Sequence, residues 1–173
     1  MKRETFQSFF VLLILLGMTS ILTRSNFQAK TKSTSEAEVQ HLMADFVTAF
    51  NNLDWPAFRE LWIEDPVVFH PILDYNPTGK RVEGAVEFEK SWQAVFDAGR
   101  KFAASRGVTK APFINTQPQD LRIDILAATV AVVTFHLPGP GAMGRRMFVA
   151  VKTDKGWKFS HLHASTISLT PPQ

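Results

Sequence analysis

Apolar and polar positions change period along this chain. From Glu36 to Asn52, Val39, Leu42, Met43, Phe46, Val47 and Phe50 recur at helical spacing, which predicts an amphipathic helix. His41 falls off that stripe and is expected to face solvent. Asp54 is placed to cap a second helix, with Pro56 in its first turn, where a missing N–H is harmless. Trp55, Phe58, Leu61 and Trp62 give that helix its apolar side, and Asp65-Pro66 is expected to stop it before a short strand, Val67 to His70. Pro71 to Gly84 is expected to be a loop, and a third helix follows with Phe88, Trp92, Val95 and Phe96 on one face. Gly99 to Pro118 is expected to be irregular.

From Asp120 the period becomes two. Leu121, Ile123 and Ile125 alternate with Asp120, Arg122 and Asp124, as in a half-exposed strand. Thr129 to Leu137 and Arg145 to Thr153 are apolar on both faces for most of their length. In the hairpin T-D-K-G, Gly156 suits the left-handed position. The last strand, Trp157 to Thr166, carries Trp157, Phe159, His161, His163 and Ser165 in strict alternation, so the spacing puts both imidazoles on the face that two aromatic rings claim for the core. Helices first and hairpin-linked strands afterwards predict an α+β fold, with helices against one face of a curved antiparallel sheet. The second apolar face needs a cover, and a second copy of the chain is the simplest one.

Composition narrows the chemistry. With no cysteine among 173 residues, disulfides, thiol catalysis and thiolate metal sites are excluded. The formal charge of +3 belongs to the N-terminus: residues 1–35 hold five Lys/Arg against one acid, and residues 36–173 hold fourteen against fifteen. The folded part is therefore not basic, and no nucleic-acid partner is expected. Lys2 and Arg3 precede a 14-residue apolar run, Phe9 to Leu22. A spanning helix needs about 20 residues and an export signal about 7–15, so residues 1–24 are expected to be a signal peptide or an N-terminal membrane anchor. The polar residues 25–35 follow as a linker, and residues 36–170 as the domain. The expected location is outside the cytoplasm, or tethered to the membrane by residues 9–22.

The order of motifs carries a resemblance. F-V-T-A-F-N-N-L-D-W-P-A-F-R-E-L-W, D-P-V-V-F-H-P, G-K-R-V-E-G-A-V-E-F-E-K-S-W and the closing G-W-K-F-S-H-L-H-A-S together resemble the SnoaL-like group of the NTF2-like superfamily. The resemblance implies a cone-shaped α+β fold, its curved sheet wrapped around N-terminal helices, with a pocket between sheet and helices and commonly a dimer. The superfamily spans isomerases, dehydratases, cyclases, association domains and simple binders, so the fold leaves activity open.

His161 and His163 are the candidate acid or base, since imidazole titrates near neutrality, with Asp74 or Tyr75 to orient the base or polarise a substrate. Trp62, His70, Trp92, Trp157 and Phe159 are the candidate pocket wall. Two imidazoles two residues apart, about 7 Å along a strand, are within reach of one ion, but H-x-H alone is a weak signature. No metal or cofactor is expected. Three functions remain: a pocket for a small apolar or amphipathic molecule, a proton-transfer lyase or isomerase, and a non-catalytic association module.

Overall fold

The computed structural model describes residues 34–71 and 79–169. The expected signal or anchor over residues 1–24, residues 25–33 of the linker, and the candidates Asp74 and Tyr75 lie outside the described residues. Among the described residues no helix is long and apolar enough to cross a membrane.

Helix α1 (residues 34–52) buries the stripe its periodicity marks: Val39, Leu42, Met43 and Phe46 are each 5% exposed or less. Asp54 caps α2 (Trp55–Glu60) as expected, its Oδ1 accepting the Ala57 N–H at 3.1 Å. The helix then ends earlier than its apolar pattern suggests. Trp62 is the first residue of a strand, β1 (Trp62–Phe69), which runs straight through Asp65-Pro66. This is possible because the β1 ladder with the last strand shifts register between Trp62 and Val67, leaving Pro66 where no ladder N–H is needed. Arg59 ties that irregular stretch down by donating to the carbonyls of Ile63 (2.9 Å) and Glu64 (3.0 Å). Asp65 accepts the N–H of Ala85 at 3.2 Å, the first residue of α3 (Ala85–Ser105), so it serves that helix and not the end of α2. Between them lies β2 (Arg81–Glu83). α3 runs six residues past Gly99, where an irregular segment was expected.

The remaining strands are β3 (Gln119–Ala127), β4 (Val130–Gly139), β5 (Ala142–Thr153) and β6 (Gly156–Ser168). They form one six-stranded sheet in the order β2-β1-β6-β5-β4-β3. All neighbours are antiparallel except β1 and β6, which run parallel because the whole helix–strand succession separates them in the chain. The α+β class and the curved sheet around helices are as expected, with this one parallel ladder added. Gly156 adopts φ 97 in the β5–β6 hairpin, a conformation that side chains with a Cβ rarely take.

Helices cover one face of the sheet, and aromatic rings fill the space between. Phe46 packs edge-on to Phe148 (5.0 Å between centroids) and Phe159 (5.7 Å), and Phe58 meets Trp92 at 4.6 Å. Such pairs add to the stabilisation from area alone.

Candidate functional site

The face of β6 is decided by one residue. Val149 of β5 pairs with His161, but its neighbour Ala150 pairs with Phe159, so Ser160 is an extra residue in β6. It forms a β-bulge, held by its hydroxyl donating to Val149 O at 3.1 Å. The bulge reverses the alternation. Trp157 and Phe159 face the core, then Leu162 and Ala164 take over the core face, and His161 and His163 turn to the opposite one. The expectation that both imidazoles share the aromatic face is therefore corrected. His163 instead lies beside Phe69, 5.9 Å between ring centres, and both His163 and His161 are exposed. A signal for this was present: the apolar set Trp157, Phe159, Leu162, Ala164 is spaced two, three, two. A step of three within a period-two pattern marks a bulge.

Between the sheet and the helices lies a cavity of about 160 Å³. Phe46 and Phe50 of α1 and Trp92 and Val95 of α3 line the helix side. Phe135, Leu137, Phe148, Leu162 and Ala164 line the sheet side, with Pro71 between. Among the described residues four of those that line the cavity are polar: His70, Thr116, Arg146 and Thr166. Of the expected wall, His70 and Trp92 line the cavity. Trp62, Trp157 and Phe159 do not: they are buried in the aromatic core beyond it, at 4%, 6% and 0% exposure. Trp157 is at the far end of β6, where its Nε1–H donates to Glu38 Oε2 at 2.8 Å. Their large apolar surfaces fill space that a ligand would otherwise occupy.

His70 is 5% exposed, stacked edge-on against Trp92 at 4.9 Å. Its Nε2 lies 3.2 Å from Ser91 Oγ, and that hydroxyl donates its own proton to Phe88 O at 2.8 Å. Ser91 therefore accepts, which assigns the proton to Nε2 and leaves Nδ1 as an acceptor. Burial pushes the His70 pKa down to about 4, and the positive charge of Arg146 pushes it the same way. His70 is a neutral imidazole at physiological pH.

Arg146 was absent from the expected site: it is the second residue of the stretch Arg145 to Thr153, read as a strand apolar on both faces for most of its length, and nothing local marks its head group as reaching a cavity. On β5, Gly144, Arg146 and Phe148 share the core face. Arg146 Nη1 donates to Arg145 O and Ser165 O, each at 2.9 Å. Asn51 was missed as well. Its side chain and carbonyl hold the segment Phe113 to Thr116 through four hydrogen bonds of 2.7–3.2 Å, which sets Thr116 at the cavity. His136, at the outer edge, pairs with Asp120 at 3.3 Å. Among the described residues no group of three or more His, Asp or Glu side chains converges as a metal site.

Comparison with known proteins agrees with this architecture. A family model described as a SnoaL-like domain matches residues 39–169. An NTF2-like protein of unknown function from Pseudomonas putida superposes with a TM-score of 0.61 at 16% identity, covering 81% of this chain and 98% of that one. A candidate dehydratase of the NTF2-like family from Streptomyces avermitilis gives 0.60 at 18% identity, covering 79% and 98%. A candidate scytalone dehydratase from Novosphingobium aromaticivorans gives 0.58 at 15% identity, covering 83% and 93%. Among curated proteins none matches significantly. At these identities the solved structures speak for the fold alone.

Proposed function

The chain belongs to the SnoaL-like domain family, and on that premise we propose that it is a binding domain for one small apolar or amphipathic molecule, held in the cavity beside His70 and Trp92. The observation that carries this reading is the cavity itself, about 160 Å³ with ten of the fourteen described residues that line it apolar. An apolar cavity of about 150 Å³ accepts one benzene-sized ring. An NTF2-like fold with a buried aromatic cluster fits a binder or a dehydratase-like domain equally. Two features favour binding over proton transfer. His161 and His163 are turned away from the cavity, and the imidazole that lines it has a pKa of about 4, far below the range where a general base works best at neutral pH.

The assembly part of the proposal is a homodimer through the uncovered sheet face. There Val67, Val132 and Val149 form a row with His161, beside exposed Met147 and Phe69. Export, or tethering by residues 9–22, completes the reading, motivated by the short apolar run after Lys2 and Arg3.

The test uses a neutral one-ring probe, benzyl alcohol, and thermal unfolding of the purified chain. Binding to the native state raises the midpoint. Ala164→Phe fills the cavity and should remove the shift while the protein still unfolds cooperatively. No shift in the wild type, or an equal shift in Ala164→Phe, would refute the cavity reading.

A further inference from the structure

We propose that the C-terminal end of α3, with the loop that follows it, docks the domain on an anionic lipid bilayer. The cavity and the sheet-face dimer have no part in this, and it stands whether or not residues 9–22 remain as a tether.

Three observations carry it. The first is where the charge lies. Between Asp97 and Asp120 the chain has four cations, Arg100, Lys101, Arg106 and Lys110, and no acid. The rest of residues 36–173 holds ten Lys/Arg against fifteen Asp/Glu. A folded part that is slightly acidic as a whole thus gathers positive charge at the end of one helix. Arg100 pairs there with Asp97 at 3.2 Å. Among the described residues no carboxylate pairs with Lys101, Arg106 or Lys110. Grouped cations left without counter-charge are attracted to the negative surface of anionic lipids.

The second is the apolar side chains set among those cations. Phe102 is 53% exposed and Val108 36%. From Lys101 to Pro112 only Ala103 is buried. The Arg106 guanidinium lies over the Phe102 ring, 5.5 Å from its centroid, so ring and cation share one surface. At a bilayer the apolar tips enter the boundary between head groups and acyl chains, while the cations stay level with the phosphates. A nucleic-acid backbone would use the cations and leave Val108 without a role.

The third is that this surface is built and not loose. Gly107 takes φ 73 just past the end of α3. Its N–H donates to Ala104 O and that of Val108 to Ala103 O, each at 3.0 Å. This pair of bonds closes the helix and folds the chain back on its last turn. It fixes the Val108 backbone beside the turn that carries Phe102. Further on, Asn51 holds Phe113 to Thr116. A segment pinned at both ends keeps Phe102 and Val108 in water, and contact with a bilayer removes that exposure.

The test exploits the absence of cysteine in the chain. Thr109→Cys gives one labelling point for a polarity-sensitive dye beside Val108. Asp154→Cys, in the β5–β6 turn, is the control. That turn lies towards the start of α1, where Trp157 bonds Glu38, whereas Arg100 of α3 bonds Leu53 O just past its end. The purified full-length chain is mixed with vesicles of phosphatidylcholine alone, or of equal parts phosphatidylcholine and phosphatidylglycerol. The dye at position 109 should shift to the blue with the anionic vesicles only, and the dye at 154 with neither. Each Lys or Arg near an anionic surface contributes about fivefold in partitioning. Reversing Lys101, Arg106 and Lys110 to Glu together should therefore raise the lipid concentration for half the response by about a hundredfold or more. Phe102→Ala should raise it about tenfold. The comparison of vesicles and labels stands without these variants. No shift at position 109 overturns the docking surface, and leaves the tether standing where the chain still floats with the vesicles. An equal shift on neutral vesicles, an equal shift at 154, or a folded triple variant that responds like the wild type overturns it too. A response at 109 to a single-stranded oligonucleotide but not to vesicles overturns it in favour of a nucleic-acid site.

Discussion

Met147 and Phe148 are neighbours on β5 with opposite fates. Phe148 is fully buried between the sheet and the helices, and Met147 is 45% exposed on the other face. The same contrast runs across the sheet. Ala131, Val133 and Phe135 of β4, and Leu162 and Ala164 of β6, face the helices and are nearly inaccessible. Val132, Thr134, Val149, His161 and His163 form the opposing grid, half-buried or exposed. Both faces are apolar enough to pass for a core. What separates them is cover: aromatic side chains of α1, α2 and α3 close over one face, and among the described residues nothing closes over the other. Apolarity alone says that a face wants burial, not what buries it.

The largest way to test that contrast is to truncate across it. Phe148→Ala removes a ring in contact with Phe46, Phe135 and Phe159 and should cost about 3–5 kcal/mol, measured by denaturant unfolding. Met147→Ala at a concentration where the chain is monomeric should stay within about 0.5 kcal/mol. Equal costs would mean that the outer face is covered within one chain.

Protonation offers a second probe of the covered face. The folded pKa of His70 is about 4 against an ordinary 6.5, so between these values the unfolded chain binds more protons and stability rises with pH. The contribution is complete above about pH 6.5 and is lost as pH falls towards 4, with a slope of up to about 1.4 kcal/mol per pH unit. Below pH 4 it levels off. His70→Gln should flatten this segment of the stability–pH curve relative to the wild type. A parallel curve for the variant would show that His70 is not the buried titrating group.

The uncovered face is sharpened by charge. Met147→Lys puts an ammonium into the proposed dimer contact. It should leave monomer stability within about 0.5 kcal/mol and convert a sedimenting dimer to monomer at micromolar concentration. A wild type that sediments as monomer throughout would remove the dimer proposal.

The smallest effect should come from the residues that seemed most telling. His161→Leu and His163→Leu lie outside the cavity, so each should change stability by less than about 0.5 kcal/mol and leave binding of a cavity probe unchanged. Loss of cavity binding in either folded variant would show that the bulge at Ser160 does not hold in solution.

How much of this was legible in the linear chain depends on the range of the interaction responsible. Local patterns carried far. The α1 stripe, the Asp54 cap, the start of α3 after Gly84, the hairpin turn at Gly156 and the succession β3 to β6 follow from periodicity and turn chemistry within a few residues, whereas β2 lies where a loop was expected. A pocket between sheet and helices was only implied by the family resemblance; the cavity found there has His70 and Trp92 in its lining. The end of α2 was not legible, because Trp62 fits a helical stripe and a strand start equally well. Its strand state comes from pairing with Phe159, 97 residues away.

What tertiary structure alone decided is the orientation of β6 and the identity of the cation in the cavity. Period-two alternation assumes an uninterrupted ladder, and one extra residue against β5 turns every later side chain over. That single inversion moves two histidines out of the cavity and puts Leu162 and Ala164 in their place. No local pattern marks Arg146 as a cavity residue. It lies at the cavity because a glycine leaves room for its head group and carbonyls from two strands hold it there. Residue types and local spacing set which elements form. The partner strand, through hydrogen bonds that no local pattern contains, set which way their chemistry faces.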